Sequence, residues 1–116
     1  MQRKFRLTRS EDFKRVRRSG KSYAHPLVVL IVQKNDQPRV KIGVAAGRTV
    51  GTAVHRNRAK RLLREAMRAL LPGISSNLDL ILIARPGLVT ATLEETRQAL
   101  LTLSERAKIL IPTNES

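Results

Sequence analysis

Gly51-Thr52-Ala53-Val54-His55-Arg56-Asn57-Arg58-Ala59-Lys60-Arg61-Leu62-Leu63-Arg64-Glu65-Ala66-Met67-Arg68-Ala69-Leu70-Leu71 is the stretch on which the reading of this chain turns. Thr52 is a helix N-cap, and Pro72-Gly73 ends the helix after about residue 71. Place Ala59 at the origin and step about 100° per residue. Leu62, Leu63, Ala66, Met67 and Leu70 then fall around Ala59 in one apolar stripe that must face a core. Lys60, Arg64, Asn57, Arg68 and Arg61 cluster within about 100° on the opposite side. Arg56 and Arg58 flank them on the first turn. Like charges three and four residues apart repel by a few tenths of a kcal/mol per pair. Only Glu65 within the helix offsets this. A solvated face ordinarily mixes signs, so the pattern points to a densely anionic ligand. Arginine forks suit phosphate oxygens, and Asn57 both donates and accepts, which serves at a base or a 2′-hydroxyl.

The rest of the chain supports that reading. It has 116 residues, enough for one domain, with 23 Lys+Arg against 9 Asp+Glu and a net charge of +14. The charge is concentrated: residues 1–21 carry +7 and residues 48–68 carry +6, while residues 69–116 carry −1. Two cationic blocks beside a neutral remainder form an electrostatic footprint for nucleic acid. An anionic membrane is the competing partner, but neither block has the aromatic face of an interfacial helix. There is no Cys, which excludes disulfides, Cys-based zinc sites and thiol chemistry. The longest apolar run, Leu27 to Val32, is far short of the roughly 20 residues of a membrane span. The first 26 residues are basic and polar, unlike a signal peptide. A soluble cytoplasmic protein is expected.

Outward from the basic helix, Leu27–Val32 and Val40–Ala46 read as strands. The turn signal Asn35-Asp36-Gln37-Pro38 between them predicts a hairpin. Asp79 opens the apolar run Leu80–Ala84, a strand buried on both faces. Thr8-Arg9-Ser10-Glu11 fits a capping box for a helix over about 9–18, stopped by Gly20. Thr92-Leu93-Glu94-Glu95 repeats the pattern for a helix to about 108, with Leu93, Leu100, Leu103 and Ala107 on one side. The whole is a small α+β sandwich in a single domain, 1–116, with an ordered core over about 3–110 and a polar tail over 112–116. Because the basic helix sits between strands and not in a helix-turn-helix, RNA is favoured over DNA.

Catalytic groupings are not found. His25 and His55 have no second ligand at metal spacing. Asp79, Glu94 and Glu95 sit at strand-start and cap positions, which argues against a metal site. No nucleophile–base set or phosphate-cradling glycine loop occurs. Phe13, the one large apolar residue early in the first helix, is either packed or displayed as a stacking surface.

The run Gly51 to Glu65, centred on Arg56-Asn57-Arg58, resembles the signature of the bacterial ribonuclease P protein subunit. Glu11-Asp12-Phe13 followed by Gly20, Arg39 to Val44, Asp79 to Arg85 and Leu93-Glu94-Glu95-Thr96 resemble the same family in order. The resemblance covers about residues 3–110. It implies an α-β-β-β-α-β-α fold with a left-handed βαβ crossover, like a domain of a ribosomal protein. It also implies the protein cofactor of a ribozyme: the RNA subunit, using Mg²⁺, hydrolyses precursor tRNA at its 5′ end, and the protein, with no catalytic centre and no tightly bound cofactor of its own, assists. On that resemblance Arg56, Asn57, Arg58, Lys60, Arg61, Arg64 and Arg68 meet RNA phosphates and the cleft edge, with Arg48 and Gly51 in the RNA-binding loop beside them. Phe13, Arg17 and Ile31 belong to a cleft for the 5′ leader. The family often carries aromatics where this chain has Arg17 and Ile31, so leader binding here leans on charge more than stacking. The expected partners are the catalytic RNA and precursor tRNA, with the free protein monomeric. A ribosomal-type RNA-binding module and a general RNA chaperone are the alternatives.

Overall fold

The apolar run at Leu78–Ala84 is the strand around which the rest packs. In the computed structural model, which describes residues 5–111, six of these seven residues are buried. Such a strand needs a neighbour on each edge and a layer on each face, and it has both. The chain runs α1 (Ser10–Ser19), β1 (Lys21–Ala24), β2 (Val28–Lys34), β3 (Val40–Ala46), α2 (Ala53–Leu70), β4 (Leu78–Ala84) and α3 (Leu93–Ala107). The sheet order is β1-β2-β4-β3. β1–β2 and β2–β4 pair antiparallel, and β3–β4 pair parallel with α2 as the crossover. This α+β arrangement of three helices and a mixed four-stranded sheet matches the expected fold class.

The predicted β2–β3 hairpin does not form. The chain does turn at Asn35, whose Oδ1 accepts from the Gln37 N–H at 2.7 Å. The two strands then diverge and β4 inserts between them. The reason is that β4 is the most apolar strand. At an edge it would leave a row of unpaired backbone groups beside buried side chains.

Alternation along the strands separates two cores. Leu30, Ile42, Leu80 and Leu82 pack with Ala59, Leu63, Ala66 and Met67 of α2 and with Ala99, Leu100 and Leu103 of α3. Ile31 and Ile81 point the other way, beneath Val16 and Phe13 of α1 and Leu7. The molecule is therefore three layers: α1, the sheet, and α2 with α3. The outer edge of β3 is covered by the chain before α1, where the Leu7 N–H donates to the Ile42 carbonyl at 2.9 Å.

The helix ends are mixed against expectation. Thr92 and Glu95 form the predicted capping box: Thr92 Oγ1 accepts from the Glu95 N–H at 3.0 Å, and Glu95 Oε1 from the Thr92 N–H at 2.8 Å. Thr52 caps α2 as expected, accepting from the His55 N–H at 3.4 Å. The predicted box at Thr8–Glu11 is absent. The N-cap of α1 is Arg9, without a side-chain cap. Glu11 and Asp12 in the first turn answer the helix dipole instead. Gly20 ends α1 in extended backbone, not in a left-handed cap. It is small because a Cβ there would lie 2.7 Å from Ile31 Cγ2, where the chain passes close over β2. Residues 3–4 of the expected ordered core and the expected polar tail over 112–116 lie outside the described residues.

Candidate nucleic-acid interface

α2 presents its charge as the sequence predicts. Ala59, Leu63, Ala66 and Met67 are buried, with Leu62 and Leu70 half-buried at the stripe's margins. Asn57, Arg58, Arg61 and Arg68 are exposed, and Arg56, Lys60 and Arg64 are half-buried. Glu65 pairs with Arg68 at 2.6 Å, leaving Arg61 and Arg64 without its charge. Arg58 Nε donates to the Val89 carbonyl at 3.2 Å and so fixes the first turn against the loop after β4. Arg48 is exposed on a short turn, Arg48–Val50, pinned by the buried Val50. That turn follows β3 and precedes α2, so Arg48 and the Arg56–Arg58 segment share one end of the sheet. A shallow groove beside Arg58 is lined by Val54, Arg58, Arg61, Leu62, Glu65 and Leu93, with Val54 75% exposed.

The cleft beside α1 and the charged face of α2 meet in one place. A cleft of about 230 Å³ is lined by Arg6, Thr8, Phe13, Gly43, Val44 and Arg64. Phe13 comes from α1 and Arg64 from α2, on opposite sides of β3. Gly43 allows the approach, since a Cβ there would overlap the Phe13 ring. Phe13 is therefore partly packed and partly displayed. Burial, with the charge of Arg6 adding to it, pulls the Arg64 guanidinium below its ordinary pKa. A cation destabilised in this way gains from an incoming anion.

Arg17 is exposed on α1. Ile31, in contrast, is 5% exposed and lies under α1 beside Val16. It does not line the cleft and belongs to the core beneath α1. Beyond the helix the same sheet face continues as a half-buried row, Val29, Ile83 and Ala45, set side by side by the strand register. Sequence reasoning did not single out this floor. The alternation of β2 and β4 would have shown it once the strand order was known.

The larger omission is the fastening of α1. Asp79 is 1% exposed, and its two oxygens accept from Arg15 at 2.9 Å and Arg39 at 2.8 Å. Arg15 also bonds Gln33 and reaches Asp12 at 3.2 Å. Burial pushes the Asp79 carboxyl up, but the Arg39 and Arg15 hydrogen bonds outweigh it and hold the group below the usual range. Arg15 is raised chiefly by its bond to Asp79. The signal was available as a lone carboxylate opening an otherwise apolar strand. Such a group must find a cationic partner. Glu94 bonds Arg97 and Gln98, and Glu95 closes the α3 cap. Asp79, Glu94 and Glu95 are thus committed to separate tasks. Among the described residues no group of three His, Cys, Asp or Glu is placed to hold a metal ion, and no helix is long and apolar enough to cross a membrane.

Comparison with known proteins places this architecture. A model of the Ribonuclease P family matches residues 1–108. The ribonuclease P protein component of Herpetosiphon aurantiacus is 42% identical over 109 residues, covering 94% of this chain and 89% of the relative. That of Brevibacillus brevis is 40% identical over 111 residues, covering 95% and 88%. Among solved structures, the Staphylococcus aureus RNase P protein superposes with a TM-score of 0.81 at 27% identity, covering 92% of this chain and 98% of that one. The Thermotoga maritima RNase P protein gives 0.78 at 30% identity, covering 87% and 96%. The family match favours this reading over the alternatives of a ribosomal-type module and a general RNA chaperone. With the basic face of α2, the cleft beside α1 and these matches in agreement, the chain belongs to the ribonuclease P protein component family.

Proposed function

We propose that this protein holds the catalytic RNA of ribonuclease P on the α2 face and the 5′ leader of precursor tRNA in the cleft beside α1. In doing so it assists endonucleolytic removal of the leader. The observation that carries the proposal is the meeting of Phe13 and Arg64 in one cleft, with the half-buried row Val29, Ile83 and Ala45 on the same sheet face as its Gly43. A single strand entering there finds an aromatic edge, an apolar floor and two guanidinium groups, Arg6 and Arg64. These are the elements of a single-strand platform. Arg17 adds charge to the α1 wall. Arg48, Arg56, Asn57, Arg58, Lys60, Arg61 and Arg68 lie outside the cleft and serve the catalytic RNA.

The protein's part is electrostatic. Catalytic RNA, tRNA and leader bring dense negative charge to one place, and fixed guanidinium groups lower their mutual repulsion. The hydrolytic chemistry, with its Mg²⁺, belongs to the RNA subunit. We further propose a single-domain protein, monomeric when free, working in the cytoplasm.

The test compares binding of leader-bearing precursor tRNA and of mature tRNA to the complex of this protein with its catalytic RNA. Tighter binding of the precursor, reduced by Phe13→Ala and by Arg64→Ala, is expected. Equal affinity for both tRNAs would remove the leader assignment and favour a chaperone-like role.

A further inference from the structure

At the end of the sheet away from Arg48 and the Arg56–Arg58 turn, the start of β1, the end of β2 and the C-terminus of α3 enclose a groove of about 630 Å³. Lys21, Lys34 and Lys108 line it, together with Tyr23 and the hydroxyls of Ser19 and Ser75. No carboxylate does. All three lysines are exposed, and none takes part in an ion pair among the described residues. They come from three separate elements. The Lys21 ammonium sits 5.6 Å from the centre of the Tyr23 ring, which holds it at the groove. Lys21 pairs in register with Val32, two residues before Lys34. The diagonal across such a pair spans about 7–8 Å, the order of the spacing between successive phosphates of an extended strand.

We propose that this groove is a second RNA-phosphate site, separate from the α2 face and from the α1 cleft. It takes two or three consecutive phosphates of a single-stranded segment. The charge complementarity favours a polyanion. The diagonal offset of Lys21 and Lys34 across β1 and β2 favours a strand over one compact anion. Because the groove and the turn bearing Arg56–Arg58 lie at opposite ends of the sheet, a protein bound through Arg48 and that turn still presents this groove to another RNA segment.

The test uses the full chain and a short labelled oligouridylate, with affinity followed by anisotropy across a series of KCl concentrations. Substituting Lys21→Gln, Lys34→Gln and Lys108→Asn together should lower the slope of log affinity against log salt by about 2, at roughly 0.7 per single-strand phosphate contact. Asparagine suits Lys108 because its φ is 57°. An unchanged slope in the folded variant overturns the proposal. Acetylation of the unsubstituted protein, read by mass spectrometry, gives an answer that does not depend on the variant folding. Protection of Lys21, Lys34 and Lys108 by the oligouridylate supports the site, and unchanged reactivity of the three rejects it. Inorganic pyrophosphate at equal phosphate concentration is the third arm. Protection as complete as that given by RNA would mean a small-anion pocket and overturn the strand reading. Arg61→Ala and Arg68→Ala, measured alongside, report on the α2 face independently, so failure here leaves the proposed function standing.

Discussion

Replacing Asp79 with Asn removes one charge and leaves the side chain's shape. The wild-type carboxylate is 1% exposed and holds two guanidinium groups, at 2.9 and 2.8 Å. Breaking a fully buried pair by removing one partner costs about 3–5 kcal/mol. Here the two arginine side chains are 35% and 36% exposed, so after the change they can turn toward water. That discount brings the expected loss to about 2 kcal/mol. For a chain of this length it corresponds to a fall in Tm of about 8 °C.

The pH dependence has a definite sign. The folded-state pKa of Asp79 is lowered from an ordinary value of 3.8. Its stabilising contribution is therefore complete above that value and is lost as pH falls through the lower folded-state pKa. Urea denaturation of wild type and Asp79→Asn should differ by about 2 kcal/mol at neutral pH, and the gap should close on acidification below about pH 4. Since Arg15 helps to hold α1 to the sheet, beside the packing of Phe13 and Val16, the variant should also bind leader-bearing RNA more weakly. A difference under about 0.5 kcal/mol at neutral pH, or a gap that persists in acid, would refute the account of how α1 is fastened.

Leu63→Ala, at a fully buried position of α2, should cost about 2–5 kcal/mol by urea denaturation, while the folded fraction keeps its RNA affinity. Arg68→Ala should lose only an exposed pair with Glu65, within about 1 kcal/mol, yet flatten the salt dependence of catalytic-RNA binding by about one phosphate contact. Arg64→Ala should flatten the salt dependence of leader binding by about one phosphate contact, with no loss of stability, because it also removes the repulsion with Arg6. Unfolding of either arginine variant would contradict the assignment of the α2 faces. Gly43→Ala should push the Phe13 ring out of its seat, at about 1–3 kcal/mol of overpacking strain. It should weaken leader binding more than catalytic-RNA binding, as separate titrations would show.

Those parts of the structure that obey local rules were legible in the sequence. α2 declared itself by a stripe of period 3.6 opposed to a single-sign face, and α3 by a capping box that both of its members complete. β4 was legible as doubly buried from its unbroken apolar run. What was not legible depends on partners distant in the chain. The turn at Asn35–Pro38 is real, but a turn signal does not say which strand comes to lie alongside. Arg15, Arg39 and Asp79 looked like unrelated charges because 64 and 40 residues separate the first two from the third. Phe13 and Arg64 were linked through the family resemblance alone, since no local pattern foretells the close passage of α1 over Gly43 that brings them to one cleft. Ile31 was assigned to the cleft by resemblance, and the structure buries it in the core under α1.

Cleavage of a precursor tRNA by the matching catalytic RNA at low Mg²⁺, with and without this protein, tests the central claim most directly. The account predicts faster cleavage with the protein and a larger effect for a substrate carrying its full 5′ leader than for one with the leader trimmed short. Equal rates with and without the protein, at concentrations where it binds the catalytic RNA, would contradict it.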